Sequence, residues 1–96
     1  MRANKIFCVV AYDIAVAKRR KRVIKIIEPF GKRINFSVFE CMFTENELKK
    51  TINELNNVIV KGVDQIAIYT ICVNCYTKTY YIPPIHSDIQ VIKIAD

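Results

Sequence analysis

The stretch from Lys5 to Tyr12 constrains this chain most, being short, nearly unbroken in apolar character and rich in Val, Ile and aromatics. Such a run reads as a central β-strand buried on both faces. Asp13 is its first polar stop. From Val16 onward the period changes, because Val23, Ile27 and Phe30 recur at helical spacing until Pro29 and Gly31 end the pattern. After Gly31, the residues Ile34, Phe36 and Val38 alternate with Arg33, Asn35 and Ser37, and a second apolar phase follows at Phe39, Cys41 and Phe43. Two strands are expected there. Thr44 with Glu47 three residues later makes a capping box, and Leu48, Ile52, Leu55 and Ile59 form the stripe of a second helix. Gln65 to Cys72, with Ile66, Ile68 and Ile71, reads as a fourth strand.

The order is therefore βαββαβ, which predicts an α+β, ferredoxin-like split βαβ domain with both helices on one face of an antiparallel sheet. Thr77 to Ile82 and Ile89 to Ile94 are two further strand-like pieces separated by Pro83 and Pro84. A four-stranded sheet has no place for them, so at least one is expected to pair with another subunit as an additional C-terminal strand. Residues 1–96 make one domain, with a core over about 5–75 and a tail over 77–96. A chain of 96 residues buries only about two-thirds of its unfolded surface, and its apolar content of 52% suggests further burial against a second copy.

No apolar run approaches the roughly 18 residues needed to span a bilayer, and Met1 to Lys5 do not lead into a signal-peptide pattern, so no membrane partner and a cytoplasmic location are expected. The thiols should then stay reduced, with Cys8 and Cys41 as small core residues. Cys72 and Cys75 have the spacing of half a zinc site, yet no second pair follows, and a plain loop is preferred over a zinc shared across a dimer axis. Only Gly31 and Gly62 are present, so no glycine-rich phosphate loop exists.

The net charge of +6 is unevenly placed: Lys18, Arg19, Arg20, Lys21, Arg22 and Lys25 lie together, and Lys32 and Arg33 follow. On a helical wheel Lys18, Lys21, Arg22 and Lys25 oppose the apolar stripe, where a solvated face explains them. Arg19 and Arg20 fall on the apolar side in the opening turns and should lean toward the end of strand one, where Asp13 is. Cations there oppose the helix macrodipole at about 0.3 to 1 kcal/mol each, which a bound phosphate would offset. The clustering favours a polyanionic partner.

Tyr12-Asp13-Ile14 closing strand one, Arg19-Arg20 opening the helix, Gly31 with Arg33, and Ser37-Val38-Phe39-Glu40-Cys41 in strand three together resemble the CRISPR-associated protein 2 family. The similarity runs collinearly from about Ile6 to Cys75. It implies a ferredoxin-like symmetric homodimer with the strand-one aspartates facing each other across the interface. Family members are described as metal-dependent nucleases on RNA or double-stranded DNA, and also as non-catalytic bridges between integrase dimers in spacer capture. The resemblance carries the metal-site aspartate to Asp13, with Tyr12 beside it, the basic residues to Arg20 and Arg33, and the strand-three aromatic to Phe39. The family often has an acid where Val16 stands, a Gln at Asn35 and an Arg at Ala67; the missing acid leaves Asp13 as one carboxylate per chain.

A two-fold axis turns one Asp13 into two, which suits a single magnesium or manganese ion shared across the dimer, since magnesium takes one or two carboxylates with waters and phosphate oxygens. In this reading Asp13 and Arg20 are catalytic, Lys18, Arg19, Arg20, Lys21, Arg22, Lys32 and Arg33 contact nucleic acid, and Tyr12, Ser37 and Phe39 support them. A helix cap or turn acid is the structural alternative for Asp13. Phe36, Phe39 and Tyr69 could suggest a base-stacking sheet, but core aromatics are the preferred reading. Ser37 is not read as a nucleophile, because His86, the one histidine, sits in a Pro-rich stretch. An mRNA-cleaving toxin on the same fold is a third functional class.

Overall fold

The structure of the chain, a computed structural model, describes residues 4–84. The elements are β1 (Ile6–Asp13), α1 (Ala17–Ile27), a single 3-10 turn at Glu28–Phe30, β2 (Gly31–Asn35), β3 (Val38–Phe43), α2 (Glu45–Val58), β4 (Gln65–Ile71) and a short α3 (Val73–Thr77). The strands form one antiparallel sheet in the order β2-β3-β1-β4. This is the expected ferredoxin-like arrangement, with the most apolar strand inside the sheet.

The two helices form for different reasons. α2 is locally encoded: the Thr44 hydroxyl accepts from the Glu47 N–H at 3.1 Å while Glu47 Oε1 accepts from the Thr44 N–H at 2.8 Å, and Glu45 and Glu47 suit the positive end of the helix. α1 has no side-chain cap at Val16 and no acid in its first turn. At 11 residues it is shorter than the ~12–15 that hold a helix in isolation, so burial of Val23 and Ile27 must hold it.

Side chains alternate across the sheet and divide it into two unlike faces. Cys8, Val10, Tyr12 and Ile14 join Phe39, Cys41 and Phe43 in one core with Val23 and Ile27 of α1 and Leu55 and Val58 of α2. Cys8 and Cys41, register partners, are both fully buried there, as expected. The opposite face carries Phe7, Val9, Ala11 and Asp13 of β1, flanked in register by Val38, Glu40 and Met42 of β3 and by Ala67, Tyr69 and Ile71 of β4. Neither long helix covers it. At one end Tyr76 of α3 packs against Phe7, the rings tilted at 53° with centroids 3.6 Å apart, and the Tyr81 hydroxyl donates to the Glu40 carboxylate.

The strand-like piece at Thr77 to Ile82, expected to pair with a second subunit, starts with the last residue of α3 and makes no strand pairing within this chain; the companion piece at Ile89 to Ile94 lies outside the described residues. Two expectations need correction. The segment around Cys72 and Cys75 is the start of α3 rather than a plain loop, since the Cys72 sulfur accepts from the Cys75 N–H. Phe36 is not a core aromatic: it sits in the β2–β3 turn and is 92% exposed. Tyr69 is 59% exposed on the uncovered face, so of the three aromatics only Phe39 is core. Among the described residues no helix is long and apolar enough to cross a membrane.

Candidate nucleic-acid interface

Where β1 ends and the β2–β3 hairpin turns, a cleft of about 600 Å³ opens, lined by Tyr12, Asp13, Ile14, Arg20, Arg33, Phe36 and Ser37. Its floor is built by β1. The Tyr12 ring is 4% exposed, lies 6.2 Å from that of Phe39, and donates its hydroxyl to the Phe36 carbonyl at 2.7 Å. The Tyr12 N–H also donates to the Ser37 carbonyl at 3.0 Å. Within the hairpin, Asn35 Oδ1 accepts from the Ser37 N–H at 3.1 Å, an Asx-type bond that shapes the turn. A register shift between Arg33 and Asn35 bends β2 just before it.

Two guanidinium groups line this cleft. Arg33 stands 6.0 Å above the centre of the Phe39 ring, at the outer limit of a cation–π contact, so Phe39 supports a cation from within the core. Arg20 Nη1 donates to the Ile14 and Ala15 carbonyls at 3.0 and 3.1 Å, which fixes the arginine on the β1–α1 connection. Asp13, exposed at the last position of β1, is not a helix cap, because the residue that caps α1 is Val16.

Arg19 is placed differently. It reaches the same end of the sheet as expected, but its guanidinium grips Asp64 in a two-pronged pair, Nε to Oδ2 at 2.7 Å and Nη2 to Oδ1 at 3.1 Å. Asp64 Oδ2 also accepts from the Val60 N–H at 2.9 Å. The Arg19 hydrogen bond and then the Val60 N–H hold the Asp64 carboxyl below the ordinary carboxylate range. Asp64 is 8% exposed and directly precedes Gln65, the register partner of Asp13. Arg19 is thus a structural tie between α1 and the start of β4. Much of the expected macrodipole cost has internal compensation, from Asp64 for Arg19 and from two carbonyls for Arg20.

The remaining cations lie outside the cleft. Lys18, Lys21, Arg22 and Lys25 are exposed along α1, while Lys32 on β2 is the register partner of Glu40. The alternating pattern suggests a core position for Phe36, yet its place between the two apolar phases marks the turn instead. Asp64 carries no signal in the sequence pattern, since its partner lies 45 positions away.

The family model for CRISPR associated protein Cas2 matches residues 6–79. This chain belongs to the Cas2 family. The CRISPR-associated endoribonuclease Cas2 4 of Rhodospirillum rubrum is 37% identical over 67 residues, covering 70% of this chain and 54% of its own length. The chain therefore spans about half of that relative. The CRISPR-associated endoribonuclease Cas2 1 of Chloroflexus aurantiacus is 32% identical over 92 residues, covering 90% of this chain and 99% of its own. Among solved structures, Streptococcus pyogenes Cas2 is similar with a TM-score of 0.72 at 28% identity, over 78% of this chain and 96% of that one.

A metal in this Cas2 fold would meet oxygen donors. Among the described residues no three His, Cys, Asp or Glu side chains gather, and Asp13 is the carboxylate that lines the cleft. An exposed carboxylate in an open cleft is a hard oxygen donor of the kind that magnesium or manganese takes along with waters and phosphate oxygens. Cys72 and Cys75 stand apart from this site and offer two sulfurs, half of a structural zinc set.

Proposed function

We propose that two copies of this chain pair through their uncovered sheet faces, bind RNA or double-stranded DNA, and cleave it as a divalent-cation-dependent endonuclease. The single observation that carries this reading is the double position of Asp13, which belongs to the uncovered apolar face and also lines the cleft holding Arg20 and Arg33. Face-to-face pairing would bring the two Asp13 side chains together across the axis. The tail after Ile82 would add strand pairing to the partner.

In that dimer the Asp13 pair would hold the ion. A bound magnesium or manganese supplies Lewis-acid polarisation of a phosphate oxygen and a water of lowered pKa. Arg20 and Arg33 hold the phosphodiester and balance the negative charge that grows on it during in-line attack, Arg20 being fixed beforehand by the Ile14 and Ala15 carbonyls. Phe36 offers a bare aromatic face on which a base stacks, a contact worth about 1–3 kcal/mol and indifferent to sequence. Lys18, Lys21 and Arg22 extend the phosphate contacts along α1.

A second reading is favoured by the row of exposed cations on α1: a scaffold that holds duplex DNA between integrase dimers in spacer acquisition without cutting it. Cleavage of labelled single-stranded RNA and duplex DNA with magnesium or manganese separates the two, comparing the chain with Asp13→Asn and measuring binding in parallel. Cutting that disappears in a variant which still binds supports the nuclease. Binding of duplex DNA by both proteins without cutting supports the scaffold, and cutting of single-stranded RNA with no integrase association supports a toxin-type role.

A further inference from the structure

Cys72 and Cys75 take no part in the cleft, yet their sulfurs are 3.2 Å apart on an exposed segment. The Cys75 N–H donates to the Cys72 sulfur at 3.3 Å, and the two thiols lie within hydrogen-bonding distance of each other. Both side chains are therefore already turned toward one another. Closing the gap to a covalent S–S bond of about 2.05 Å takes a shift of roughly 1 Å. Cys8 and Cys41 present the opposite case: they too are neighbours, facing each other across β1 and β3, but they are fully buried and burial pushes the Cys41 thiol up to about 12.

We propose that Cys72 and Cys75 form a reversible dithiol–disulfide pair that exchanges with small disulfides of the glutathione class. Cys72 is the attacking thiolate. Hydrogen bonds from the Cys75 thiol and the Cys75 N–H hold it below the ordinary thiol value, whereas donating that same bond raises Cys75. In the first step the Cys72 thiolate attacks one sulfur of the oxidant, forming a mixed disulfide and releasing one glutathione thiolate. In the second step Cys75 gives up its proton and attacks the Cys72 sulfur, releasing the second glutathione thiolate. The chain loses two electrons and two protons, and the oxidised glutathione becomes two reduced molecules. The new bond staples the first turn of α3, the helix that holds Tyr76 against Phe7. Asp13 and the cleft play no part in this chemistry.

The test is equilibration of the full chain in buffers of graded reduced and oxidised glutathione, acid quenching, denaturing alkylation and mass spectrometry. Alkylatable thiols should fall from four to two, with a mass loss of about 2 Da mapped to the Cys72–Cys75 peptide and reversed by dithiothreitol. Cys75→Ser should stall as a glutathione adduct on Cys72, and Cys72→Ser should react about tenfold more slowly with the oxidant. Four thiols persisting across the series, oxidised chains linked to each other, or a bond to Cys8 or Cys41 would each overturn the proposal.

Discussion

The Tyr12 hydroxyl donates to the Phe36 carbonyl at 2.7 Å, joining the end of β1 to a turn 24 residues further along the chain. This bond holds the exposed Phe36 at the rim of the cleft. Tyr12→Phe keeps the buried ring and removes only the donor, so stability should fall by about 0.5–1.5 kcal/mol, the usual worth of one such bond. Amide exchange at Phe36 and Ser37 should quicken, and single-stranded nucleic acid should bind more weakly. Chemical denaturation, exchange and a binding titration on one variant check all three.

Arg19 and Arg20 are neighbours in sequence but should behave oppositely. Arg20 lines the cleft, so Arg20→Ala should flatten the dependence of nucleic-acid affinity on salt by about 0.9 log units per log unit for each phosphate that the shortened side chain no longer reaches. Arg19 is committed to Asp64, so Arg19→Ala should lower the melting temperature and leave the salt slope unchanged. Affinity measured at several salt concentrations, with melting curves for both variants, reads this difference. An unaltered slope in Arg20→Ala moves the binding surface elsewhere.

The same pair sets a pH dependence. Asp64 has a folded-state pKa below its unfolded value of about 3.9, so as pH falls the unfolded chain takes up this proton first. Its contribution is fully present above that unfolded value and drains away as pH falls through it toward the depressed folded one. Melting temperature followed from neutral pH down to acid should therefore drop more steeply for the native chain than for Asp64→Asn, which never carries the charge. Parallel curves would mean that the Arg19–Asp64 pair forms no better folded than unfolded.

Gly31 explains why a strand begins where it does. A Cβ there would lie 2.0 Å from the Glu40 carbonyl oxygen and 2.7 Å from the Cys41 Cα, both backbone atoms that cannot yield cheaply. Gly31→Ala should loosen β2 from β3 and cost about 1–3 kcal/mol, as overpacking does, and it should weaken binding through Arg33 on the same strand. Gly62 has open space around it and a φ of 83°, so Gly62→Ala meets backbone strain alone. Denaturation of the two variants side by side separates close approach from strain.

Sequence pattern revealed most of this fold because most of it is locally written. The Thr44–Glu47 capping box, the apolar run closed by Asp13 and the alternation in β3 each depend on residues within a few positions of one another. The grouping of Tyr12, Asp13, Arg20, Arg33, Ser37 and Phe39 around one cleft was legible through the family resemblance, which links positions that no local period connects. The misreadings have two causes. Arg19 finds its partner 45 positions away, beyond any local period. Phe36 alternates like a strand residue but sits on a turn shaped by the Asn35–Ser37 bond, and Thr77 ends a helix that the Cys72 sulfur begins; both rest on short-range side-chain bonds that apolar patterning does not read. Register neighbours across the sheet are equally invisible to such patterning.

Those neighbours also expose the pairing proposal to a direct test at Val9. Its register partners on the uncovered face are Glu40 and Tyr69, so a lysine at this position stands opposite an acid within its own subunit and the isolated fold should tolerate Val9→Lys. In a face-to-face dimer the same change buries two ammonium groups beside the axis, and removing a charge from water without a full set of partners costs several kcal/mol. The native chain should sediment as a dimer at micromolar concentration, and Val9→Lys as a folded monomer. Because the variant keeps Asp13, Arg20 and Arg33 in place, its cleavage should vanish along with the dimer if two aspartates hold the ion. A Val9→Lys monomer that still cuts would show that one Asp13 suffices, and a native monomer would remove the shared site altogether.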